Sequence, residues 1–230
     1  MYDTDGNFLQ ALDTIEMRTL LPQFLALVNA DSQTSSAGTK FVDLGCGTGR
    51  NTLSLLALAP SDTKIVGLDA SPGMLDVART AVRNVVPDSE LGGRVSLGLF
   101  DLLQSPLQPP ACSLGADGVI STLVVEHIPL RQFFEGVSAV LRSGGWLLLS
   151  NMHSEMGSIS QAGFVDPKTG TKIRPTSYSH RVEDVLETAK GLGFEIVELG
   201  GERVREREVD EKLAEKVERA KKYVGVKVWF

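Results

Sequence analysis

Cysteine is scarce in this sequence, and long hydrophobic runs are missing from it. Cys46 and Cys112 are the only cysteines among 230 residues, and two cysteines do not build a disulfide framework. We therefore expect a reducing, cytoplasmic compartment. The sequence has no run of about 18 apolar residues, so we expect no membrane span. The opening stretch MYDTDGNF is polar and acidic, unlike a signal or transit peptide. Its abrupt start leaves open whether another segment precedes it.

Positive charge is also in short supply. The chain has 23 Lys and Arg residues against 29 Asp and Glu residues, which gives a net charge of −6 at pH 7. An acidic protein is a poor match for the phosphate backbone of DNA or RNA, so we expect no nucleic-acid partner. The hydrophobic share of 42% is ordinary for a globular protein, and a chain of this length can bury a substantial core.

Short apolar runs alternate with helical patterns along most of the chain. The runs that predict strands are residues 40–45, 64–70, 94–101, 116–122, 145–152, 194–200 and 223–230. The first five are continuously apolar, which is typical of strands covered on both faces. Helical patterns occupy residues 9–29, 71–86, 129–145, 181–193 and 201–222, the last of them rich in Glu, Lys and Arg. The alternation predicts an α/β fold with a doubly wound, mostly parallel sheet.

The segment FVDLGCGTGRNT, residues 41–52, follows the first predicted strand and has glycines at positions 45, 47 and 49. Ligands of doubly wound sheets bind at the carboxyl ends of the strands, where this loop is expected. A dinucleotide site would have the spacing G-x-G-x-x-G, but Arg50 stands where its last glycine would be. Asp43 would repel a pyrophosphate and suits a cationic group such as an ammonium. The loop therefore disfavours a nicotinamide-dependent oxidoreductase.

Two further carboxylates end the next two predicted strands. Asp69, in VGLDASPGM, can accept hydrogen bonds from a ribose diol. Asp101, in LGLFDLL, or its neighbouring amide can reach the exocyclic amine of a purine. A ligand with an amino-acid end, a ribose diol and adenine, but no diphosphate, is S-adenosylmethionine.

The motifs VDLGCGTGRNT, VGLDASPGML and GLFDLL resemble the successive cofactor motifs of the class I S-adenosylmethionine-dependent methyltransferases. The ubiquinone, menaquinone and biotin pathway type is the most similar. The resemblance covers residues 40–150 and implies a Rossmann-like fold of seven strands, one of them antiparallel near the C-terminus. It further implies one domain over residues 1–230, divided into an N-terminal helical cap (1–39), a cofactor-binding core (40–152), a lid or substrate loop (153–180) and C-terminal helices and strands (181–230).

The same resemblance implies S-adenosylmethionine as the cofactor and S-adenosylhomocysteine as the product. It assigns Asp43 to orient the loop and meet the amino group, directly or through water, and Asp69 to hold the ribose. The other residues that it implies for the cofactor are Gly45, Cys46 and Gly47 at the methionine moiety, Ala70 and Met74 at the adenine or ribose, Asp101 and Leu102 at the adenine, Thr122 and Leu123 at the sulfonium, and Tyr2 and Arg18 from the N-terminal segment.

Three histidines, His127, His153 and His180, are the candidates for a catalytic base, because all three fall on the side of the sheet expected to carry chemistry. Packing or hydrogen bonding is the alternative role for each. Glu126 and His127 match the end of a Glu-x-x-Glu-His metal motif found in a related subgroup. Leu123 replaces the first glutamate of that motif, so we expect no metal.

The stretch STLVVEHIPL after the fourth predicted strand lacks the Asn-Pro-Pro-Tyr sequence common among enzymes that methylate nucleic-acid bases or glutamine. We therefore predict a methyltransferase that acts on a small organic acceptor by in-line displacement. A protein methyltransferase and a cofactor-binding, non-enzymatic regulator remain as alternatives. The methylated atom and the choice between monomer and homodimer stay open.

Overall fold

The computed structural model describes residues 7–31, 38–86, 93–160, 164–165, 169–173 and 176–230. These residues form two compact units. The sheet unit consists of Glu16–Thr122 and Phe134–Leu149, and the C-terminal unit consists of Met1–Ile15, Leu123–Phe133 and Ser150–Phe230. Tyr2, predicted to cover the cofactor, lies outside the described residues. The predicted division of one domain into cap, core, lid and C-terminal part stays a prediction.

A five-stranded sheet forms the centre of the sheet unit. Its strands are β1 (Lys40–Leu44), β2 (Lys64–Asp69), β3 (Val95–Leu99), β4 (Ala116–Thr122) and β5 (Leu141–Ser150), in the order β3-β2-β1-β4-β5. β1 pairs in parallel with β2 and with β4, and β2 pairs in parallel with β3. The chain starts at β1, moves outward through β3 and returns to β4, so the topological switch point lies between β1 and β4. The predicted doubly wound, parallel sheet is confirmed.

Helix α1 (Phe8–Asp31) precedes β1. Three helices connect strands, namely α2 (Arg50–Leu58) between β1 and β2, α3 (Pro72–Arg83) between β2 and β3, and α4 (Leu130–Val140) between β4 and β5. α3 begins as its sequence predicts: the Ser71 hydroxyl accepts the Met74 N–H at 3.3 Å, and Pro72 takes the first helical position. α4 ends at Val140, before the glycine pair at which the helix was expected to stop, and β5 begins directly after it.

The C-terminal unit contains short elements. They are α5 (Ser154–Ile159), β6 (Phe164–Val165), β7 (Lys172–Ile173), α6 (Val182–Gly191), β8 (Arg207–Glu208), α7 (Glu211–Lys216), a 3₁₀-helix (Glu218–Tyr223) and β9 (Lys227–Trp229). β8 and β9 are antiparallel. Met152 also bridges to Trp229 in antiparallel fashion, and Asn151 exchanges two backbone hydrogen bonds with Phe230, at 2.9 and 3.0 Å. The predicted antiparallel strand near the C-terminus is therefore present.

Within the described residues, the sheet has five strands rather than the seven predicted. Residues 194–200 form no strand; Leu199 makes one isolated bridge to Glu202, and Val197 stays exposed. A half-apolar run becomes a strand when one of its faces is buried against a core, and this run buries none of its side chains.

The charged helix predicted over residues 201–222 is also wrong, because the segment divides into β8, α7 and the 3₁₀-helix. Asp210 marks the division: its Oδ1 accepts the Leu213 N–H at 2.7 Å and so begins α7 at Glu211. Within the described ranges, no helix has the length and apolar character needed to cross a bilayer.

Candidate active site

The glycine loop, residues 45–49, connects β1 to α2 in a left-handed backbone. Gly47 has φ 55° and Gly49 has φ 91°, conformations that side chains with a Cβ rarely adopt. A Cβ on Gly49 would lie 3.2 Å from the Ala78 Cβ, so α3 packs closely there. A Cβ on Gly47 would meet nothing within 4 Å. The backbone of Gly47 is thus open to a ligand, while that of Gly49 is packed against α3.

Asp69, the last residue of β2, holds this loop from the neighbouring strand. Its Oδ2 accepts the Gly47 N–H at 2.8 Å, and its Oδ1 accepts the Ser71 N–H at 2.8 Å. The N–H groups of Gly45 and Cys46 both donate to the Leu68 carbonyl, at 2.7 and 2.9 Å. A carboxylate has about four lone-pair sites, so half-buried Asp69 keeps acceptor capacity for hydroxyl groups of a ligand.

Asp43 lies beneath the loop, with 2% of its surface exposed. Its Oδ2 accepts the Thr52 hydroxyl at 2.6 Å. Burial raises the pKa of Asp43 from 3.8 to about 6, against the opposing effects of Thr52 and Arg50. This geometry fits the loop-orienting role that the sequence predicted better than direct contact with a ligand.

Cys46 is buried, and its surroundings keep the thiol neutral. Burial first, and then the charges of Asp43 and Asp69, raise the pKa of the Cys46 thiol. Since the thiolate is the reactive form of cysteine, Cys46 is suited to packing beside the loop and not to nucleophilic chemistry.

The residues predicted to face the adenine of the cofactor, Asp101 and Leu102, lie just after the end of β3. Asp101 Oδ1 accepts the Leu103 N–H at 2.9 Å. Leu102 is buried, and a Cβ on Gly136 would fall 2.1 Å from its Cδ2, so the Leu102 side chain packs against α4. Ala70 is exposed and Met74 is half-buried, so neither is confined to the core.

β4 ends in a strained turn. Thr122 Oγ1 accepts the Asn51 amide at 2.8 Å and lies 3.4 Å from an Arg50 nitrogen. The next residue, Leu123, is the one non-glycine with positive φ among the described residues, at 57°, and its N–H donates to Ser150 O at 2.9 Å. Such outliers concentrate at functional sites.

Two residues on α2 had no predicted role. Thr52 supports Asp43, and Asn51 orients Thr122. Their position directly after the glycine loop could have indicated that they belong to the site. The sequence did not show which face of α2 they occupy. Arg18, predicted to meet the carboxylate of the cofactor, is exposed on α1.

The residues around the glycine loop suit S-adenosylmethionine. Gly47 leaves an open backbone, Asp69 retains acceptor sites for a diol, and two carboxylates near the loop favour a cationic ligand over a diphosphate.

The three candidate histidines all lie in the C-terminal unit. His153 is buried, with Nε2 2.8 Å from Glu206 Oε1, and its Nδ1 accepts the Glu155 N–H at 3.2 Å. Both ring nitrogens are therefore engaged, and His153 caps α5. This geometry favours a structural role for His153, which stays a catalytic candidate from the sequence alone.

His127 and His180 lie on two segments that are hydrogen-bonded to each other. Tyr178 N–H donates to Glu126 O at 2.7 Å, and His180 Nε2 lies 2.9 Å from Ile128 O. The His180 ring stacks on Tyr178, with centroids 5.2 Å apart and planes 8° apart. His127 Nδ1 lies 3.4 Å from the Thr176 carbonyl. In the part of the chain that the structure describes, no group of three or more His, Cys, Asp or Glu residues could hold a metal ion.

Comparison with known proteins defines the class. The family profile described as "Methyltransferase domain" matches residues 42–149. The chain is 54% identical over its whole length to an uncharacterized methyltransferase of Emericella nidulans, and the match covers 85% of that protein. It is 35% identical to a biotin biosynthesis bifunctional protein of Teredinibacter turnerae, over 72% of this chain and 33% of that one.

A solved S-adenosylmethionine-dependent methyltransferase from Mesorhizobium loti has the same fold. Its TM-score is 0.54 at 20% identity, over 89% of this chain and 95% of that one. The chain belongs to the class I S-adenosylmethionine-dependent methyltransferases. It is an enzyme of methyl transfer, as the sequence predicted.

Proposed function

We propose that this enzyme binds S-adenosylmethionine at the glycine loop and transfers its methyl group to a small organic acceptor by in-line displacement. The observation that carries the proposal is the link between Gly47 and Asp69. One carboxylate fixes the open stretch of the loop, at 2.8 Å, and still has lone pairs for a ribose diol.

Each residue near the loop has a distinct part in this proposal. Asp43 fixes the loop from below, and the backbone at Gly47 lines the methionine moiety. Asp69 accepts the ribose hydroxyls, and the backbone of Leu102 faces the adenine. The bound cofactor supplies a methyl group already activated by a sulfonium. The protein mainly aligns the reacting atoms, a contribution worth about 7–11 kcal/mol of barrier.

Three observations support a small acceptor. The net charge of −6 disfavours nucleic acid, and the Asn-Pro-Pro-Tyr sequence is absent after β4. A relative with 35% identity is named for biotin biosynthesis. We also propose a cytoplasmic location, and a monomer or a homodimer as the working form.

Calorimetry with S-adenosylhomocysteine tests cofactor binding. Asp69→Asn should weaken the affinity at least tenfold, because an amide can no longer accept at both former carboxylate oxygens. Asp76→Asn is the matched control, since Asp76 is exposed on α3 and pairs with Arg79. Equal affinities in the two variants, or tighter binding of NAD than of S-adenosylhomocysteine, would refute the cofactor assignment.

The acceptor class needs a separate measurement. A panel of phenols, aliphatic alcohols, amines, carboxylic acids and thiols is incubated with S-adenosylmethionine, and S-adenosylhomocysteine formation is followed by mass spectrometry. We expect turnover with at least one panel member. Turnover with a mixed peptide library and with no small molecule would favour the protein methyltransferase, and binding without any turnover would favour the regulator.

A further inference from the structure

Arg50 and Asn51, the first two residues of α2, both reach Thr122 at the end of β4. The Asn51 amide donates to Thr122 Oγ1 at 2.8 Å, and Arg50 Nη2 lies 3.4 Å from the same oxygen. Asn51 is 5% exposed, Thr122 is also buried, and Arg50 is half-buried. We call these three residues the switch-point cluster, because the topological switch point lies between β1 and β4. The cluster combines a cation with two buried polar side chains.

The switch-point cluster borders the glycine loop. β1 and β4 pair in parallel, and at the end of the pair the Ser121 hydroxyl donates to the Leu44 carbonyl at 2.8 Å. The next residues along the two strands are Thr122 and Gly45, so the same register places Thr122 beside the first residue of the loop. Every residue of the cluster and of the loop belongs to the sheet unit. The cluster and the open backbone of Gly47 therefore lie at one edge of one sheet.

The polar groups of the switch-point cluster include an acceptor as well as donors. Because Asn51 Nδ2 is directed at Thr122, the acceptor oxygen of the same amide, Oδ1, faces away from that hydroxyl. The Thr122 hydroxyl accepts the Asn51 amide and retains its own hydrogen for donation. The Arg50 guanidinium is a cation whose planar fork of N–H groups matches a carboxylate. An acceptor beside a cation and a hydroxyl donor suits a zwitterion with an ammonium and a carboxylate on one carbon.

We propose that the switch-point cluster binds the amino-acid end of S-adenosylmethionine. The carboxylate accepts hydrogen bonds from the Arg50 guanidinium and the Thr122 hydroxyl, and the ammonium donates to Asn51 Oδ1. This inference rests on the proposed function and adds a selectivity to it, because the enzyme then discriminates its cofactor from adenosyl compounds that lack the carboxylate. Arg18, to which the family resemblance gave the carboxylate, lies exposed on α1.

The charges around the glycine loop make a cation necessary for such a ligand. Asp43 and Asp69 favour the positive groups of the ligand and repel its carboxylate. Burial raises the pKa of Asp43, and Thr52 and Arg50 oppose that rise, so the charge of Arg50 acts on the space beneath the loop. Arg50 therefore either holds the carboxylate of the ligand or only balances the charge of Asp43. A comparison of ligands with and without the carboxylate separates these two roles.

Calorimetry with three ligands tests the contact with the carboxylate. They are S-adenosylhomocysteine, its decarboxylated analogue, and 5′-methylthioadenosine, which lacks the whole amino-acid end. Wild type should bind S-adenosylhomocysteine about tenfold more tightly than the decarboxylated analogue, or better, as expected for a hydrogen bond between charged groups. In Arg50→Gln this preference should fall about tenfold, while the affinity for 5′-methylthioadenosine stays within about twofold of wild type.

Arg79→Gln is the matched control, since Arg79 is an arginine of the same unit that pairs with Asp76 on α3. It should change neither the preference nor the affinities. A preference that survives in Arg50→Gln overturns the inference. An equal loss of affinity for all three ligands also overturns it, because that result leaves Arg50 with a purely structural role.

Should Arg50→Gln fail to fold, Arg50→Lys provides the second variant. It keeps the positive charge but replaces the planar fork by a single ammonium, so the preference for the carboxylate should fall by about threefold or more without disappearing. An unchanged preference in Arg50→Lys would contradict the assignment of the carboxylate to the guanidinium.

An analogue of S-adenosylhomocysteine without the amino group tests the contact with the ammonium. Asn51→Ala should lose most of the wild-type preference for S-adenosylhomocysteine over this analogue, because the amide oxygen is gone. It should keep the preference over the decarboxylated analogue, since Arg50 is still present. An unchanged preference for the amino group in Asn51→Ala overturns the assignment of a zwitterion to the cluster.

These outcomes separate the inference from the function on which it rests. If wild type binds none of the three ligands, the proposed cofactor site fails, and the inference fails with it. If wild type binds 5′-methylthioadenosine as tightly as S-adenosylhomocysteine, the adenosyl cofactor stands, and only the role of the switch-point cluster is refuted.

Discussion

Asp13 and Trp229 lie 216 positions apart in the chain, and the indole N–H of Trp229 donates to the Asp13 carboxylate at 3.0 Å. The Ser150 hydroxyl donates to the same oxygen at 2.5 Å. Asp13 is completely buried. One carboxylate on α1 thus ties the end of β5 and the C-terminal strand β9 into the C-terminal unit.

Asp13→Ala should therefore destabilise the protein. It leaves two buried donors without an acceptor, and each such loss is worth about 1–3 kcal/mol. We expect the free energy of unfolding to fall by about 2–5 kcal/mol, measured by urea denaturation. Asp62→Asn, an exposed change in the sheet unit, should leave stability within about 0.5 kcal/mol. A loss below 1 kcal/mol in Asp13→Ala would show that these hydrogen bonds contribute little.

The raised pKa of Asp43 makes the stability of the fold depend on pH, and it sets the direction of that dependence. Because its folded-state pKa is raised from 3.8 to about 6, the native state binds the proton more tightly than the unfolded state does. The contribution of Asp43 to stability is then greatest below pH 3.8 and is lost as the pH rises to about 6. A shift of this size corresponds to about 3 kcal/mol.

Asp43→Asn keeps an acceptor for Thr52 but cannot ionise. The difference in unfolding free energy between this variant and wild type should shift by about 3 kcal/mol in favour of the variant from pH 3.5 to pH 7. Urea denaturation at several pH values measures it. A constant difference over this range would mean that Asp43 titrates normally in the folded protein.

A substitution of Gly47 is expected to affect both the stability of the fold and the affinity for the cofactor. Gly47→Ala places a Cβ in open space but in a left-handed conformation, so it should destabilise the fold by about 1–2 kcal/mol. It should also reduce affinity for S-adenosylhomocysteine at least tenfold, because the methyl group occupies the space proposed for the ligand. Gly47→Val should abolish binding.

Gly115 provides a matched control for Gly47. It has φ 70°, equally open surroundings and a place in the same unit, at the amino end of β4. Gly115→Ala should lose similar stability and keep full affinity. Equal loss of affinity in both alanine variants would show that strain, and not occupied space, explains the effect.

The elements of the fold that the sequence predicted correctly are those formed by interactions between residues close together in the chain. A serine and a proline begin α3 through contacts within three residues. Continuous apolar runs marked all five strands of the parallel sheet. Residues 194–200 carried a similar run but remained outside a strand, since a strand also needs a partner and a buried face.

In the candidate site, too, local features could be predicted from the sequence, and contacts between distant segments could not. The glycine spacing and the acidic strand ends pointed to the cofactor, because parallel strands bring their carboxyl ends to one edge of the sheet. The sequence could not rank the histidines. The contact of His153 with Glu206 spans 53 positions, and the bond between Tyr178 and Glu126 also joins distant segments.

The sequence by itself determined the class of the enzyme, the turn at Gly47 and the order of strands and helices, because these depend on backbone preferences and on local spacing of apolar and charged residues. Tertiary structure alone decided that Asp43 is buried beneath the loop, that the His153 side chain caps α5, and that one Glu126 oxygen is buried without a partner among the described residues. Burial and hydrogen bonding of a side chain depend on residues far away in the chain, so they are settled only when those segments pack together.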